Sequence, residues 1–144
     1  MARSAPAPPL NPLRFLRDLV LVLAGVGCVL LAVTHWIAMP WAVEGPSMAP
    51  TLRDGDRVVV ELFTYRRRPP RVGDVVLVEG PGDLPLVKRV GTPPWGTPAD
   101  RVWILGDNPA ESSDSRAFGA LPLSRVRGRV RWRYWPLSGW GAIE

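Results

Sequence analysis

One lysine is the first candidate for chemistry in this sequence. Lys88 is the only lysine in the chain, and all the other residues among its 18 lysines and arginines are arginine. Lysine can lose its proton when it is removed from water, whereas arginine keeps its charge in proteins. Lys88 lies in the apolar run 84–90, and burial there would lower its pKa from the ordinary value of about 10.4. These observations indicate either a general base or an ordinary surface cation.

A serine in a constrained segment is the matching candidate nucleophile. Ser47 lies between Pro46 and Pro50, and both prolines restrict the backbone around it. A nucleophilic hydroxyl has to be held about 3 Å from its base, and a rigid segment suits that requirement. The residues alone leave two alternatives for Ser47, a nucleophile or an ordinary turn serine.

Other hydrolytic chemistries lack the residues that they need. A Ser-His-Asp triad requires a histidine beside the serine, and the only histidine, His35, falls in a long apolar segment. The only cysteine, Cys28, falls in the same segment, so the two do not make a zinc site. The sequence has no glycine-rich phosphate loop, and its carboxylates have no distinctive spacing. We therefore expect neither a metal nor a cofactor.

A polar segment at 106–119 completes the set of candidates. It is rich in turn formers and in side chains that accept hydrogen bonds, and Asp114 and Arg116 could pair across a loop. Such a segment suits a group of side chains that orients a lysine. A solvated surface loop, whose exposed ion pair would contribute little, is the alternative.

The candidate residues follow a segment long enough to cross a membrane. Residues 19–39 contain no Asp, Glu, Lys or Arg, and a helix of this length spans about 31 Å, the thickness of a bilayer core. Arg14 and Arg17 precede it, which predicts a cytoplasmic segment 1–18, a transmembrane helix 19–39 and an exported domain 42–144 in a single-pass protein of the cell (plasma) membrane. A cleaved signal peptide and a buried helix are the alternatives, but the run is long and has neither a clear cleavage site nor a polar face.

Beyond this segment the sequence predicts a small, mostly β domain. The 17 prolines and 14 glycines argue against a helical bundle. Alternating and β-branched runs separated by turn formers predict strands at 57–63, 74–79, 84–90, 101–105 and 126–135. We expect coiled antiparallel β-sheets in one domain of roughly 100 residues.

The net charge of +5 over the whole chain bears on the partners of this protein. A basic surface is compatible with a solvated face, with anionic lipid headgroups or with nucleic acid. The apolar segment favours the lipid bilayer, and we expect no nucleic acid as a partner.

Five short stretches, in this order, resemble the four sequence boxes of the type I signal peptidase family of serine proteases. They are GPSMAPTL at 45–52 (the nucleophile box), GDVVL at 73–77 (the strand box), VKRV at 87–90 (the lysine box), and GDN at 106–108 with SSDSR at 112–116 (the final box). Each box alone is a weak signal, whereas four boxes in the family's order after an apolar anchor are a strong one.

The resemblance implies a role for each matching residue. Ser47 is expected to be the nucleophile and Lys88 its base, with Ser112 hydrogen-bonded to the lysine amine. Supporting residues are expected at Asp107, Asp114 and Arg116. Shallow substrate pockets are expected near Val43, Gly45, Met48, Leu52 and Val87.

The resemblance also implies a function. It predicts a membrane-anchored serine endopeptidase that cleaves signal peptides from exported precursors after Ala-x-Ala-like sites. Its partners would be precursor proteins with signal or pro-peptides and the lipid bilayer, and we expect a monomer without metal or cofactor.

Two departures from the family's pattern and three alternatives stay open. Gly45 stands where some members have a serine that assists the oxyanion hole, and Pro109 stands where an arginine is common. A dedicated maturation protease for one precursor, such as a nickel-type superoxide dismutase, fits the sequence equally well. A non-catalytic membrane-tethered β domain and a self-cleaving Ser-Lys repressor fit it less well, since the latter needs a DNA-binding module.

Overall fold

A computed structural model describes residues 12–144, except for the side chains of residues 34–36. Its first element is helix α1, Pro12–Trp36, which begins at a proline because the first helical N–H needs no partner. Within the described residues, α1 is the one helix long and apolar enough to cross a membrane, and its apolar stretch Pro12–Val33 is not buried by the rest of the protein. The predicted architecture, one apolar N-terminal helix followed by a mostly antiparallel β domain, is confirmed.

The helix is displaced relative to the predicted segment 19–39. It starts at Pro12, so the end of the predicted segment 1–18 forms its first turns, while residues 1–11 lie outside the described part. It ends at Trp36, and Ala38 and Met39 already belong to a strand that pairs with residues 57–61. The backbone groups of Ala38 and Met39 make their hydrogen bonds within a sheet and not within a helix, so the β domain begins before residue 42.

In residues 12–144, seven strands form one antiparallel sheet, and two short strands form a second. The main sheet has the order β1-β2-β8-β3-β4-β6, with β9 paired to β8, and the second sheet is β5-β7. The strands are β1 Ala38–Ala42, β2 Arg57–Glu61, β3 Val75–Glu79, β4 Pro85–Val90, β5 Arg101–Val102, β6 Ile104–Leu105, β7 Leu121–Pro122, β8 Val126–Trp135 and β9 Gly141–Ala142. Two one-turn helices, α2 Thr64–Arg67 and α3 Ser115–Phe118, lie in the connections.

Bulges along β8 coil the main sheet. Its pairing with β2 shifts register twice and its pairing with β3 shifts once, and each bulge increases the local twist. One face of β3 contributes Val75 and Leu77 to a first core cluster, and the other face contributes Val76 and Val78 to a second. Strand β3 is thus buried on both sides, which explains its unbroken run of apolar residues.

Several strands differ from the sequence prediction. The run 101–105 is split between the two sheets, because Val102 pairs with Leu121 whereas Ile104 pairs with Val90. Strand β1 was not predicted, because its first two residues, Ala38 and Met39, fall at the end of the apolar segment 19–39. Strands β7 and β9 are only two residues long and were not predicted.

Candidate active site

The segment that carries Ser47 is a closed loop between β1 and β2. Val43 N–H donates to the Asp56 carbonyl (2.8 Å), and Gly55 N–H donates to the Val43 carbonyl (2.9 Å), so the two ends of the loop are joined. Gly45 has a φ of +79°, which side-chain-bearing residues rarely adopt, and its N–H donates to Asp54 Oδ1 at 2.7 Å. These contacts fix the direction in which the half-buried Ser47 side chain leaves the loop.

Lys88 approaches Ser47 from strand β4. It pairs with Val76 of β3 in the antiparallel register, and only 3% of its surface is exposed. Its Nζ lies 2.5 Å from Ser47 Oγ. The two candidates, 41 residues apart in sequence, are therefore in hydrogen-bond contact.

The environment of Lys88 favours its neutral form. Burial lowers the pKa of the amine below its ordinary value of 10.5, and the positive charge of Arg116 lowers it further. The negative charges of Asp114 and Asp107 oppose this shift, but burial prevails. A neutral amine can accept the proton of the Ser47 hydroxyl across the same short contact.

The polar segment 106–119 is organised around the buried Asp114, although residues 109–111, 113, 116 and 117 are exposed. The buried carboxylate distinguishes it from a fully solvated surface loop. Asp114 is fully buried and caps α3. Its Oδ2 accepts hydrogen bonds from Gly106 N–H (2.8 Å), the Ser112 hydroxyl (2.7 Å) and Arg116 Nη2 (2.6 Å). Burial alone would raise the pKa of this carboxyl, but these donors hold it well below its usual range.

Ser112 lies beside the candidate pair but has a different partner from the expected one. Among the described residues its hydroxyl donates to Asp114 and not to the Lys88 amine. A Cβ on Gly106 would lie 2.2 Å from Ser112 Oγ and 2.6 Å from the Ser47 carbonyl oxygen. Glycine at 106 thus lets the scaffold pack directly against the Ser47 backbone, with Ser112 at the contact.

Asn108 is a site residue that was not predicted individually. Its backbone N–H donates to the Ser47 carbonyl (3.0 Å), and its side-chain Nδ2 donates to the Pro46 carbonyl (3.3 Å). It therefore ties the polar segment to the candidate nucleophile. Asn108 belongs to the GDN stretch of the final box, but nothing in the sequence spacing indicates that it contacts the Ser47 segment.

Asp107 forms a bidentate ion pair with Arg89. Arg89 Nε and Nη2 lie 2.9 Å and 2.8 Å from the two carboxylate oxygens, and Arg89 also donates to the Gly73 carbonyl. Burial pushes the pKa of Asp107 upward, but hydrogen bonds from Arg89 and Thr51, together with the positive charges of Arg89 and Lys88, hold the pKa below its ordinary value. This pair joins the polar segment to β4 directly beside Lys88.

The predicted substrate residues divide between a cleft and the core beneath it. A cleft of about 200 Å³ holds the Ser47 and Lys88 side chains, and Val43 and Val87 line it. Met48 and Leu52 are fully buried in the first core cluster, against these two valines, and Gly45 lies in the loop above. The other members of the lining were not predicted: Trp41, Ala42, Glu44, Pro85 and Leu86.

The backbone N–H of Ser47 is a candidate donor for stabilising an oxyanion. Within the described part of the chain, Ser47 N–H makes no intramolecular hydrogen bond. A backbone N–H next to a nucleophile is the usual kind of donor for a developing oxyanion. This donor remains available even though Gly45 brings no hydroxyl.

Metal ligands do not converge anywhere in the described residues. No group of three His, Cys, Asp or Glu side chains is close enough to hold an ion there. Cys28 is exposed on α1, and the side chain of His35 lies outside the described part.

The Ser47 hydroxyl and the buried Lys88 amine are in contact on a small coiled antiparallel β domain, and such a pair could carry out the chemistry of a serine peptidase. Residues 16–94 and 92–135 match the family described as signal peptidase, peptidase S26. The chain belongs to this family, and it is a serine peptidase of the signal peptidase I type.

Similar proteins come from bacteria and from mitochondria. The chain is 34% identical over 146 residues to the mitochondrial ATP-independent inner membrane protease subunit 1a of Arabidopsis thaliana, covering 87% of each chain. It is 31% identical over 136 residues to the mitochondrial inner membrane protease subunit 1 of Homo sapiens, covering 82% of each. It is 27% identical over 183 residues to the probable signal peptidase I-1 of Synechocystis sp., covering 98% of this chain and 92% of the relative. Most of the chain therefore has a counterpart in each relative.

Proposed function

We propose that this protein is a membrane-anchored endopeptidase that removes signal peptides from precursor proteins, with Ser47 as nucleophile and Lys88 as general base. The observation that carries the proposal is the 2.5 Å contact between Lys88 Nζ, almost fully buried, and Ser47 Oγ in a small cleft. A desolvated lysine next to a serine is an activated nucleophile pair.

The reaction follows from this contact in two steps. Neutral Lys88 takes the proton of the Ser47 hydroxyl while Oγ attacks the scissile carbonyl, and Ser47 N–H stabilises the oxyanion. Lys88 then gives that proton to the leaving amine, and an acyl ester remains on Ser47. Lys88 then takes a proton from a water molecule, whose oxygen attacks the ester carbonyl, and Lys88 returns that proton to Ser47 Oγ as the acyl–oxygen bond breaks and the product acid leaves.

The cleft suits an extended substrate with small side chains. Strand β1 is an edge of the main sheet, and β4 pairs with β6 only at Arg89 and Val90, so residues 85–88 also have an open edge. A substrate strand between these two edges can form main-chain hydrogen bonds with either. The volume of about 200 Å³ is small for a ligand site, which favours small residues such as alanine before the cut.

Helix α1 supplies the proposed anchor. Arg14 and Arg17 in its first turns favour a cytoplasmic N-terminus, with the β domain on the opposite face of the membrane. Anchoring keeps the enzyme and a membrane-bound precursor in one plane, which raises their effective concentration. We propose the plasma membrane for this bacterial-type topology, and the mitochondrial relatives make the inner membrane the alternative.

The substrate proposal is tested with a panel of purified precursors and the full chain in detergent. We expect cleavage after Ala-x-Ala, and a loss of about 10²-fold or more when either alanine is replaced by leucine, because the cleft has no room for the larger side chain. The matched control replaces the central residue instead, and this should have little effect. Equal cleavage of the leucine precursors would contradict the small-residue cleft, whereas cleavage of only one precursor in the panel would identify a dedicated maturation protease.

A further inference from the structure

A second cleft, lined by the basic run 66–68, is not used by the proposed reaction. It has a volume of about 420 Å³ and lies beside α2. Its lining combines three arginines with aromatic and apolar side chains: Tyr65, Arg66, Arg67, Arg68, Pro69, Pro70, Leu123 and Val126. A cationic rim next to an apolar wall matches a ligand with an anionic head and an apolar stem.

Arg68, the third arginine of the run, stabilises the structure of this cleft. Arg68 donates to both oxygens of the buried Asp74 carboxylate, at 2.8 Å and 3.2 Å. Tyr65 Oη and the backbone N–H of Arg71 also donate to Asp74, at 3.1 Å and 3.0 Å. Arg68 is thus held within the fold by a carboxylate that Arg129 also contacts at 3.2 Å, and its role in the cleft is structural.

The first two arginines differ from Arg68 in their exposure to solvent. Arg66 and Arg67 are both exposed. The Arg67 guanidinium lies over the ring of Phe63, 4.3 Å from the centroid, and makes no ion pair with a carboxylate in the described part of the chain. Phe63 is itself 38% exposed, so this corner presents an aromatic ring and positive charge together. Aromatic and basic side chains are the usual anchors at a membrane interface.

This corner lies next to the end of α1. Ile37 directly follows the helix, and its carbonyl accepts a hydrogen bond from Leu62 N–H at 2.9 Å. From Leu62 to Arg67 the chain advances roughly 8 Å, because Phe63 already has a helical conformation and α2 follows it directly. That distance is comparable to the Debye length of about 8–10 Å, so the field of a charged membrane surface at the end of α1 reaches these arginines.

We propose that the cleft formed by residues 65–70, Leu123 and Val126 binds the headgroup of an anionic phospholipid in the bilayer that α1 crosses. Arg66 and Arg67 contact the phosphate, and Phe63 enters the interface beside them. The contact sets the height and tilt of the catalytic domain above the bilayer. This inference rests on the proposed anchoring by α1, but not on the roles of Ser47 and Lys88.

The test compares the full chain in vesicles of phosphatidylcholine alone with vesicles in which about a third of the lipid is phosphatidylglycerol. Cleavage of a membrane-embedded precursor is measured in each. Each basic residue near an anionic surface adds about fivefold to binding, so we expect stimulation of the wild type by several-fold, up to about 25-fold. The double variant Arg66→Gln/Arg67→Gln should lose this stimulation. The matched control Arg57→Gln/Arg131→Gln, which removes two other exposed arginines away from the cleft, should keep it.

Two further measurements distinguish lipid binding from precursor binding and from a loss of catalytic function. In neutral detergent all three proteins should cleave the precursor equally, which distinguishes this inference from a failure of the proposed function. Hydrogen exchange of residues 62–68 should slow in anionic vesicles for the wild type and the control, but not for the Arg66/Arg67 variant. Three results would each overturn the proposal. The Arg66/Arg67 variant could keep the full stimulation by anionic vesicles, or the control could lose as much stimulation as the variant. The variant could also cleave the precursor poorly in detergent, which would indicate that these arginines bind the precursor.

Discussion

Replacing Lys88 by arginine is expected to abolish cleavage, lowering kcat by about 10⁴-fold or more. Arginine retains a positive charge but does not release its proton in a protein, so it cannot take the proton of the Ser47 hydroxyl. The measurement is single-turnover cleavage of an Ala-x-Ala precursor by the purified full chain. Substantial activity in Lys88→Arg would exclude a lysine base.

A second substitution at the same position guards against a simple folding defect. Burial lowers the pKa of Lys88, so the folded protein disfavours the ammonium, and this free-energy cost is present at all pH values below the folded-state pKa. The cost disappears as the pH rises from the folded-state pKa toward the unfolded value. Lys88→Met removes this free-energy cost. We therefore expect its free energy of unfolding to equal or exceed that of the wild type, and we expect it to be inactive.

The serine of the pair has its own control. Ser47→Ala is expected to lower kcat by about 10⁶-fold, the loss typical of removing a serine nucleophile. Ser113→Ala changes an exposed serine of the neighbouring polar segment and should leave kcat unchanged. If both variants kept wild-type activity, another nucleophile would have to be sought.

Asp114→Asn is expected to destabilise the scaffold behind the pair by about 2–4 kcal/mol. The asparagine amide would place donors against the Arg116 N–H groups that now donate to Oδ1, at 3.1 Å and 2.9 Å. The measurement is denaturant unfolding at neutral pH. Asp100→Asn, an exposed aspartate outside the site, is the matched control and should change little.

The pH dependence of this variant has a definite sign. The folded-state pKa of Asp114 is well below the ordinary 3.8, so its contribution to stability is complete above the unfolded pKa and is lost as the pH falls through the folded pKa. The stability difference between Asp114→Asn and the wild type should therefore shrink in acid. An undiminished difference in acid would contradict the role of the carboxylate charge.

The pH dependence of activity in Asp114→Asn should show a further effect that a purely structural role of Asp114 would not produce. The Asp114 charge raises the pKa of Lys88, whereas the Arg116 charge lowers it. With asparagine at 114 the lowering by Arg116 is no longer offset by a charge at that position, so the acid limb of the kcat/KM profile should move to lower pH. A limb that stays in place would mean that Asp114 acts on Lys88 through packing alone.

Local sequence patterns predicted the strands but not the tertiary contacts between strands and loops. The apolar runs of β3 and β4 are strong strand signals because β3 is buried on both faces. Nothing in their spacing brings Lys88 to Ser47, since that contact depends on how β4 and the loop after β1 face each other across the cleft. The family resemblance supplied the pairing.

The remaining differences are tertiary in origin. Residues 106–119 have the composition of a surface loop, but Asp114 is buried because five donated hydrogen bonds from three residues satisfy its carboxylate. Met48 and Leu52 follow Ser47 closely in sequence, but both side chains are buried in the core, where large apolar side chains are usually found. Strand β1 continues an apolar sequence into a sheet, and only its pairing with β2 reveals the change.

The most direct test of the central claim is the pH dependence of kcat/KM for the wild type, measured with a precursor that has no titrating group near the cut. The profile reports the pKa of the base in the free enzyme. The expected result is a rise of about tenfold per pH unit that levels off below the ordinary lysine pKa of 10.5, because burial lowers the pKa of Lys88. A profile that is flat from about pH 4 to 10 would contradict a lysine base at position 88.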